Sequence, residues 1–337
     1  MRTAIIIVNW NGWQDSIECL SSVVGSGALS NVDVWLVDNE SSDGSVDYIV
    51  QWCQHPLPQG NWRTLPGVHH VDGSESVHCR VWQADGHAAP TLPGVQVNIV
   101  KSGRNLGFAG GNNVGIAAAG LDRYSHFWLL NNDTVMAGDA LEHLLRRAAA
   151  EPVIGMVGST LVYYADPERV QALGGGWFDK RAMRAGHIGE STRLAAVSSD
   201  AATIQAVEAQ TAYVIGASML VTVEFVRDVG PMCEDYFLYF EELDWAFRSA
   251  SRYRMAYAPL SFVFHKAGAS TMQKQSEFSL NLLYRNRVRF TGRFLPASLR
   301  TLRRALAWEM VRHLIKGRWM SARLVIRTLR DFRSLSS

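Results

Sequence analysis

The apolar residues of the N-terminal part form short continuous runs, and segments with helical spacing separate them. Residues 4–8 are an unbroken apolar run rich in β-branched side chains, and we predict "VDVWLVDN" at 32–39 as the second strand. The segments at 13–24 and 45–52 have helical spacing. Continuous apolar runs are typical of strands that are buried on both faces of a parallel sheet. The alternation therefore predicts an α/β fold with a doubly wound, mostly parallel sheet flanked by helices.

The rest of the chain continues this alternation of strand and helix patterns, with two irregular stretches. Residues 53–95 are rich in Pro, Gly and His and lack periodicity, so we interpret them as a surface insertion. Residues 163–210 are irregular, and from residue 281 the pattern becomes helical and basic. We therefore predict a main domain over 1–280 and a basic amphipathic helical region over 281–337. Further strands are expected at 95–100, 124–130, 155–162, 216–221 and 262–265, and further helices at 137–150, at 222–229 with Thr222 as cap, and in "YFEELDWAFRSA".

The charges of the chain are unevenly distributed. The net charge of the 337 residues is +2, yet the part from residue 281 carries about 14 Lys and Arg against Glu309 and Asp331. This part is near +12 and the first 280 residues are near −10, which indicates a basic surface that meets an anionic one. The apolar residues of this part favour an amphipathic helix on anionic lipid, and packing on the domain or on a dimer partner is the alternative. They are Leu306, Met310, Leu314, Val325, Leu329 and Phe332.

Several features indicate where the protein resides. The four cysteines have no CxxC spacing, which fits reduced thiols in a cytoplasmic protein. The apolar run at the N-terminus is too short for a secretion signal, and no apolar run approaches 18 residues, so no transmembrane helix is expected. A zinc site in the insertion is conceivable, but no pair of its candidate ligands has zinc-finger spacing. These candidates are His55, His69, His70, His78, Cys79 and His87.

Polar clusters follow four of the predicted strands. They are Asn9-Trp10-Asn11, Asp38-Asn39, the Gly-rich stretch 105–113, and Asn131-Asn132-Asp133. Open α/β sheets bind ligands at the carboxyl ends of their strands, so the four clusters together indicate a ligand site. Each cluster alone is equally typical of a turn, and Asp38 could form an Asx turn with the following "SSDGS".

The Gly-rich stretch "NLGFAGGNN" permits a ligand to approach the backbone before a helix N-terminus, where anions are favoured. It is neither GxGxxG nor a P-loop, because it lacks the GK[ST] ending. A dinucleotide-binding fold and a P-loop enzyme are therefore not expected.

Acidic residues at two places are candidates for chemistry. Asp133 with its flanking amides suits a hard divalent cation shared with substrate phosphates, although Asp133 or Thr134 could instead cap the helix that follows. Glu241, Glu242 and Asp244 lie within four residues. Mutual repulsion of such close acids raises a pKa or attracts a cation, as a general base or metal site requires, while a negatively charged helix N-terminus is the alternative. His265 ends an apolar strand and is either a metal ligand or a core histidine.

Seven stretches occur in order along the chain: "IIIVNWNG", "LVDNESSDGS", "NLGFAGGNNVGI", "LLNNDT", "GASMLV", "FLYFEELDWAFR" and "FHKAGAST". Together they resemble the family 2 inverting glycosyltransferases of the GT-A fold, in particular the rhamnosyltransferase-like branch of bacterial cell-envelope polysaccharide enzymes. The resemblance spans about residues 3–286, and the ordered set is far more specific than any single member. "YRN" at 284–286 resembles a motif that follows the catalytic domain in this branch.

The resemblance implies roles for the polar residues. The "NND" at 131–133 corresponds to the family's DxD-type metal motif, with Asp133 as the carboxylate that survives, and His265 corresponds to a second metal ligand. Asp38 lies where the family contacts the nucleotide base. The residues expected to bind the sugar nucleotide are Asn9, Asn11, Asp38, Asn105, Gly107, Asn112, Asn131 and Asn132.

The catalytic base implied by the resemblance is Glu242, the second acid of the "EE" pair. Related proteins usually carry Asp at this position, so Glu241 or Asp244 could serve instead. The implied reaction is one displacement at the anomeric carbon, with inversion of configuration and with a divalent ion, Mg²⁺ or Mn²⁺, at the leaving diphosphate.

The resemblance also implies partners. The expected donor is a nucleoside diphosphate sugar, dTDP-rhamnose in the first place, with UDP-galactofuranose or a UDP-N-acetylhexosamine as alternatives. The expected acceptor is a polyprenyl-linked glycan, so the protein should lie peripherally on the inner face of the cell membrane. No nucleic-acid partner is expected, and a homo-oligomer is possible. A non-catalytic nucleotide-sugar binding protein is the alternative from another class.

Overall fold

A computed structural model gives the fold, and it describes residues 2–27, 32–58, 62–73, 76–89, 96–249, 252–266 and 276–336. The strands are β1 (Thr3–Asn9), β2 (Val32–Asp38), β3 (Cys79–Gln83), β4 (Val97–Lys101), β5 (His126–Leu130), β6 (Thr134–Met136), β7 (Ile154–Tyr163), β8 (Asp166–Leu173), β9 (Gly175–Asp179), β10 (Arg184–His187), β11 (Tyr213–Val214), β12 (Ser218–Thr222) and β13 (Arg254–His265). The helices are α1 (Trp13–Gly25), α2 (Ser45–Gln54), α3 (Gly107–Ala119), α4 (Ala140–Ala148), α5 (Ala201–Gln210), α6 (Val223–Val229), α7 (Glu241–Arg248), α8 (Glu277–Phe294), α9 (Leu299–Ile315), α10 (Trp319–Arg330) and α11 (Phe332–Ser336).

The main sheet runs in the order β3-β4-β2-β1-β5-β12-β7-β13-β6, and β8 pairs with β7. The strands from β3 to β5 along this order are all parallel to their neighbours, and so are β7 and β13. The pairs that β12 forms with β5 and β7, and that β6 forms with β13, are antiparallel. The predicted α/β class with a mostly parallel sheet is therefore confirmed.

The central strand β1 shows why its sequence is apolar without alternation. Ile5 and Ile7 pack into one core, which α1, α2 and α4 cover. Ala4 and Ile6 point to the opposite core, which α3, α6 and α7 cover. A strand buried on both faces needs apolar side chains at every position, as a doubly wound sheet requires. Helix α6 is capped as predicted, because the Thr222 side chain accepts a hydrogen bond from the backbone of Phe225.

The segment 53–95 is not wholly a surface insertion, as the sequence analysis expected. Its strand β3 pairs in parallel with β4, with Cys79 opposite Val97. Val71 and Val77 from the same segment are buried in the core below α1 and α2. The apolar signal is weak because β3 lies at the edge of the sheet and most of its side chains are exposed.

The irregular stretch 163–210 also contains more structure than its pattern indicates. Strand β8 folds back on β7, while β9 pairs with β10 and β11 in a second, antiparallel sheet. Helix α5 follows and is capped by Asp200, whose side chain accepts a hydrogen bond from Thr203 N. The predicted strand 262–265 is the end of the longer β13. Short, partly exposed strands give little apolar periodicity, which explains why the sequence pattern missed them.

The C-terminal part is helical, as predicted, and its first described helix begins at Glu277. Helices α8 to α11 surround a core of their own. The apolar stripe that the sequence analysis assigned to lipid largely fills this core: Leu306 and Val325 are fully buried, Phe332 is buried, and Met310 and Leu329 pack against it. The alternative of packing on the protein is therefore correct for these residues. Within the described ranges, none of the helices combines the length and the hydropathy that crossing a bilayer requires.

Candidate active site

The polar clusters meet at one edge of the main sheet because the strands before them are parallel. Asn9 and Asp38 end the neighbouring strands β1 and β2 and stand opposite each other in register. Strand β5 lies on the other side of β1 and ends at Leu130, directly before Asn131. The sequence prediction of a shared strand-end region is therefore consistent with the topology.

The side chain of Asn9 is fully buried and joins three of these strand ends. Its Nδ2 donates to Asp38 Oδ1 at 3.1 Å and to Ser41 Oγ at 3.0 Å. Its Oδ1 accepts a hydrogen bond from Ser16 Oγ at 2.8 Å, and Ser16 Oγ also accepts one from Asn132 Nδ2 at 3.1 Å. We call this chain of side chains, from Asp38 through Asn9 and Ser16 to Asn132, the strand-end network. It ties β1, β2, α1 and the end of β5 together.

Asn11 adds a link between the loops that follow β1 and β2. It has a left-handed backbone with φ of 51°, and its Oδ1 accepts a hydrogen bond from Ser42 N at 2.8 Å. The carboxylate of Asp38 also accepts a hydrogen bond from Ser41 N at 3.2 Å. The Asx-type contact that the sequence allowed for Asp38 is therefore present.

The Gly-rich loop is positioned by Asn39, which sequence reasoning gave no separate role. Asn39 Oδ1 accepts from Leu106 N at 3.0 Å, and its Nδ2 donates to Asn105 Oδ1 at 3.1 Å. Gly107 has φ of 68°, and a Cβ there would lie 2.3 Å from Phe237 O, so this position needs glycine. Asn112 is buried, and its Nδ2 donates to Phe108 O at 2.9 Å within α3.

The "NND" stretch is a turn that presents Asp133 to the next strand. Thr134 N donates to Asn131 O at 3.2 Å, which closes the turn. Thr134 stands opposite His265 in the β6–β13 pair, and this register brings Asp133 Oδ1 to 3.2 Å from His265 Nε2. Helix α4 begins later, with Asp139 as its N-cap residue, so neither Asp133 nor Thr134 caps it.

His265 has a second fixed contact, because its Nδ1 lies 2.8 Å from Gln171 Oε1. A neutral imidazole that donates Nδ1–H to Gln171 presents the lone pair of Nε2 toward Asp133. A carboxylate oxygen and an imidazole lone pair that face each other suit a shared divalent cation. The next residue, Lys266, pairs with Asp15 and Glu18 on α1. The rest of "FHKAGAST" lies outside the described residues.

The three acids of α7 have different surroundings. Asp244 is fully buried and is bound by Arg248 Nε at 2.7 Å, Arg293 Nη1 at 2.9 Å and the Tyr236 hydroxyl at 3.0 Å. This cluster links α7 to α8. The other two acids, Glu241 and Glu242, lie on the wall of a cavity.

Glu241 and Glu242 form an acidic pair in which Glu241 is buried and Glu242 is partly exposed. Glu241 is 1% exposed, and its Oε2 has no hydrogen-bond partner among the residues that the structure describes. Burial, and then the charge of Glu242, raises the pKa of Glu241 well above its usual value. Burial also raises the pKa of Glu242, although Gly216 N donates to its Oε1 at 3.2 Å. A Cβ on Gly216 would lie 2.6 Å from this Oε1, so the glycine makes room for the carboxylate.

The segment before α7 is held in an unusual conformation. Phe237, Tyr239 and Phe240 all have left-handed backbones, with φ of 62°, 70° and 77°. Each such residue costs about 1–2 kcal/mol relative to a right-handed one. Asn286 of the "YRN" motif is fully buried, and its Nδ2 lies within hydrogen-bond distance of the carbonyls of Tyr236, Leu238 and Tyr239 at 2.8, 2.8 and 3.0 Å. Asn286 therefore holds the segment that delivers Glu241 and Glu242, a role that sequence reasoning missed.

One cavity of about 490 Å³ brings the two groups of candidates together. Asn131, Asp133 and His265 line it from the sheet edge, and Glu241 and Glu242 line it from α7. We call this space the active-site cavity. The other predicted site residues are not among its described lining residues: Asn9, Asn11, Asp38, Asn105, Gly107, Asn112, Asn132 and Asp244.

Two further observations concern alternative sites. A larger cavity of about 650 Å³ lies between α5, α7 and β13 and contains none of the predicted site residues, so size alone does not identify the site. Within the described part of the chain, no group of three or more His, Cys, Asp or Glu side chains is arranged to hold a metal by itself, and this includes the described histidines of 53–95.

The sequence and the fold were compared with known proteins. The model of the glycosyl transferase family 2 matches residues 83–193, a stretch that contains the Gly-rich loop and Asp133 but ends before α7 and His265. No curated protein sequence matches the chain. A mannosyltransferase from Pyrobaculum calidifontis, PcManGT, solved with GDP-Man and Mn²⁺, has a similar structure with a TM-score of 0.55 at 13% identity, over 98% of this chain and 86% of that one. S. aureus TarS 1–349 is also similar, with a TM-score of 0.44 at 9% identity, over 99% and 92% of the two chains.

The mannosyltransferase shares the fold with this chain over nearly its whole length, and at 13% identity the likeness concerns the fold alone. The family model adds a sequence match in the part that carries the Gly-rich loop and "NND". Together the two findings show a GT-A-like fold and a sequence similarity to the glycosyl transferase family 2 over residues 83–193.

Proposed function

We propose that this protein is an inverting, metal-dependent glycosyltransferase and that its reaction takes place in the active-site cavity. The observation that carries the proposal is the position of the Asp133–His265 pair and the Glu241–Glu242 pair on walls of the same cavity. A transferase needs a cationic site for the leaving diphosphate and a base for the attacking hydroxyl, and the two pairs supply residues of both kinds.

Glu242 is the proposed catalytic base. Its raised pKa makes the carboxylate a better proton acceptor at neutral pH than an ordinary Glu. Burial and the charge of the neighbouring carboxyl group also raise the pKa of Glu241, so the two acids of the pair titrate together. Glu242 removes the proton of the acceptor hydroxyl while that oxygen bonds to the anomeric carbon. The bond from this carbon to the diphosphate breaks on the opposite side, so the configuration inverts.

Asp133 and His265 are the proposed ligands of a divalent ion, Mg²⁺ or Mn²⁺. The imidazole contact to Gln171 fixes the ring so that Nε2 faces the Asp133 carboxylate. Hard divalent ions take one or two carboxylates and complete their shell with substrate phosphates and water. When bound, such an ion neutralises the charge of the departing nucleoside diphosphate.

The proposed donor is a nucleoside diphosphate sugar, with dTDP-rhamnose first and the UDP sugars as alternatives. The resemblance of the motifs supports this choice, while the P. calidifontis enzyme was solved with GDP-Man and adds GDP sugars to the test. The strand-end network, the Gly-rich loop and Asp38 are proposed to position the nucleotide. The proposed acceptor is a polyprenyl-linked glycan, which requires the protein to work at the inner face of the cell membrane.

A thermal-shift panel tests this proposal. The protein is heated with dTDP, UDP, GDP or ADP, each with and without Mn²⁺, and Asp133→Asn is measured beside the wild type. A ligand at about 100 times its Kd should stabilise by about 2.7 kcal/mol. We expect a shift with one nucleotide that needs Mn²⁺ and that Asp133→Asn abolishes.

The matched control is Asp139→Asn, an exposed acid six positions further along the chain that is not in the cavity. It should keep the wild-type shift. If no nucleotide shifts the wild type, or if Asp133→Asn keeps the full metal-dependent shift, the assignment of the diphosphate site is wrong.

A further inference from the structure

The connection between α9 and α10 exposes large apolar side chains. Helix α9 ends at Ile315, Gly317 turns the chain with φ of 63°, and α10 begins at Trp319. Every residue from 314 to 320 is exposed, with Ile315 at 79% and Trp319 at 69%. Trp308 lies two turns earlier on α9 and is 64% exposed. We call residues 308–320 the hairpin tip.

These apolar side chains are not used by the fold. The inward face of the same two helices is complete, because Leu302, Leu306, Leu324 and Val325 fill the core of the C-terminal helices. Exposing several large apolar side chains within one short stretch of chain is unfavourable in water and commonly marks an interaction surface. The hairpin tip therefore needs an explanation outside the folded chain.

The tip is also strongly basic and adjoins a small polar cavity. Arg312, Lys316 and Arg318 line this cavity of about 220 Å³, together with Arg184 and the hydrogen-bonded pair Tyr284 and His313. We call it the basic cavity. No ion pair of Arg312, Lys316 or Arg318 is found within the described ranges of the chain.

The one acid in the wall of the basic cavity is already neutralised. Glu309 pairs with Arg184 and with Arg287, whose Nη1 lies 3.1 Å from Glu309 Oε1. The cavity therefore offers its three unpaired cations to an anion of suitable size, such as a phosphate group.

The basic cavity lies next to the active-site cavity, because both use the same two elements as walls. On α8, Leu283 lines the active-site cavity and the adjacent Tyr284 lines the basic cavity. On β10, His187 lines the former and Arg184 the latter. A partner that binds at the hairpin tip is therefore held close to the active-site cavity.

We propose that the hairpin tip and the basic cavity together form the docking surface for an anionic lipid membrane. Trp308, Ile315 and Trp319 enter the boundary between headgroups and acyl chains, where tryptophan is favoured. Arg312, Lys316 and Arg318 contact the lipid phosphates. This inference rests on the proposed function only where it brings a lipid-linked acceptor to the active-site cavity.

A membrane explains the tip better than a second copy of the chain does. In a twofold dimer the same patch faces itself, so Arg312, Lys316 and Arg318 would meet the same cations of the partner copy. Like charges brought together in this way oppose association. An anionic bilayer satisfies the cations and the apolar side chains at once.

Vesicle co-sedimentation of the full chain tests the proposal. One set of vesicles is pure phosphatidylcholine, and the other contains equal parts of phosphatidylcholine and phosphatidylglycerol. We expect the wild type to bind the anionic vesicles and not the neutral ones. In the triple variant R312Q/K316Q/R318Q, binding should weaken by about 100-fold, at roughly fivefold for each removed cation. In I315S/W319S it should also fall to the level seen with neutral vesicles.

Matched controls separate the tip from general charge and hydropathy. R146Q/R169Q/R227Q removes three exposed arginines elsewhere and should bind as the wild type does. L57S/L260S removes two exposed leucines away from the tip and should bind normally too. Brominated lipid should quench wild-type tryptophan fluorescence, and W308F/W319F should lose most of this quenching.

The outcomes are distinct. The proposal is overturned if the wild type does not bind anionic vesicles, or if both tip variants bind them as well as the controls do. It is also overturned if I315S/W319S turns a dimer into a monomer in sedimentation velocity and leaves vesicle binding intact, because the tip is then a dimer interface. A failed nucleotide panel with tip-dependent vesicle binding contradicts the proposed transferase function and leaves the docking surface in place.

Discussion

Two regions at the same edge of the sheet are built from the same kinds of residue and differ in how their polar groups are paired. In the strand-end network, each polar side chain hydrogen-bonds to the next one: Asp38 to Asn9, Asn9 to Ser16, and Ser16 to Asn132. In the active-site cavity, the buried Oε2 of Glu241 has no partner among the described residues, and two adjacent carboxyl groups have raised pKa values.

The difference shows that some polar residues of the fold stabilise its structure, while others are available for a reaction. A buried polar group with all its partners stabilises the arrangement of the loops and is costly to change. A buried acid that lacks partners destabilises the folded state and is retained where reactivity requires it. The same distinction applies within α7, where Asp244 is fully ion-paired and Glu241, three residues earlier, is not.

The largest effect is expected from Glu242→Gln. The amide has nearly the shape of the acid but cannot accept the proton of the acceptor, so the rate of transfer should fall by about 10²–10⁴-fold. Nucleotide binding should persist, and the free energy of unfolding should stay the same or rise, because an acid with a raised pKa is removed. Transfer rates, thermal shifts with nucleotide and urea denaturation measure the three quantities.

Two variants frame this prediction. Asp235→Asn removes an exposed acid of the segment before α7 and should leave transfer unchanged. Asn9→Ala, in the strand-end network, should instead lower the free energy of unfolding by about 1–3 kcal/mol and weaken the thermal shift with nucleotide. Full activity in Glu242→Gln would contradict the choice of base and direct attention to Glu241.

An intermediate effect is expected from Asn286→Ala, which removes the side chain that holds the segment before α7. The carbonyls of Tyr236, Leu238 and Tyr239 lose a donor, and the left-handed residues between them are no longer fixed. We expect a loss of about 1–3 kcal/mol in the free energy of unfolding. The rate of transfer should fall about 100-fold, as a displacement of catalytic groups by about 1 Å would produce.

Asn281→Ala on the same helix is the matched control, since Asn281 Oδ1 has no hydrogen-bond partner among the residues that the structure describes. It should keep both stability and activity. A normal rate of transfer in Asn286→Ala would mean that the left-handed segment is held by other contacts and that Asn286 is not a positioning residue.

The smallest effect concerns the dependence of stability on pH. Burial, followed by the charge of Glu242, raises the pKa of Glu241 in the folded state, so the folded protein binds more protons than the unfolded chain between the two pKa values. The free energy of unfolding must therefore fall as the pH rises from about 4.3, the value of an unperturbed Glu, through the raised pKa. Each unit of pKa elevation corresponds to about 1.4 kcal/mol.

Glu241→Gln removes this titration, and its stability should decline less over the same range of pH. Urea denaturation of wild type and variant at a series of pH values measures the difference, which cancels the contributions of groups that the two proteins share. Parallel curves for the two proteins would show that the acidic pair is not strained in the folded state.

Much of this arrangement could be predicted from the sequence. The apolar runs of β1 and β2 indicated a sheet covered on both faces, and the amides and acids after these strands indicated one edge for the site. Both predictions depend on the local period of the chain and on the rule that parallel strands end on the same side. The exposed edge strand β3 and the short strands β8 to β10 were missed because partial burial leaves no clear period.

What the sequence by itself determined is which residues are buried strands, which are helical, and which polar residues stand at strand ends. Only the tertiary structure decided which polar group meets which partner. It paired Asp244 with two arginines and placed Glu241 and Glu242 on the wall of the active-site cavity. It also turned the apolar stripe of the C-terminal helices inward, while Ile315 and Trp319 stayed exposed. The physical reason is that periodicity is a property of neighbouring residues. Pairing and burial depend on elements that are distant in sequence and meet only in the fold.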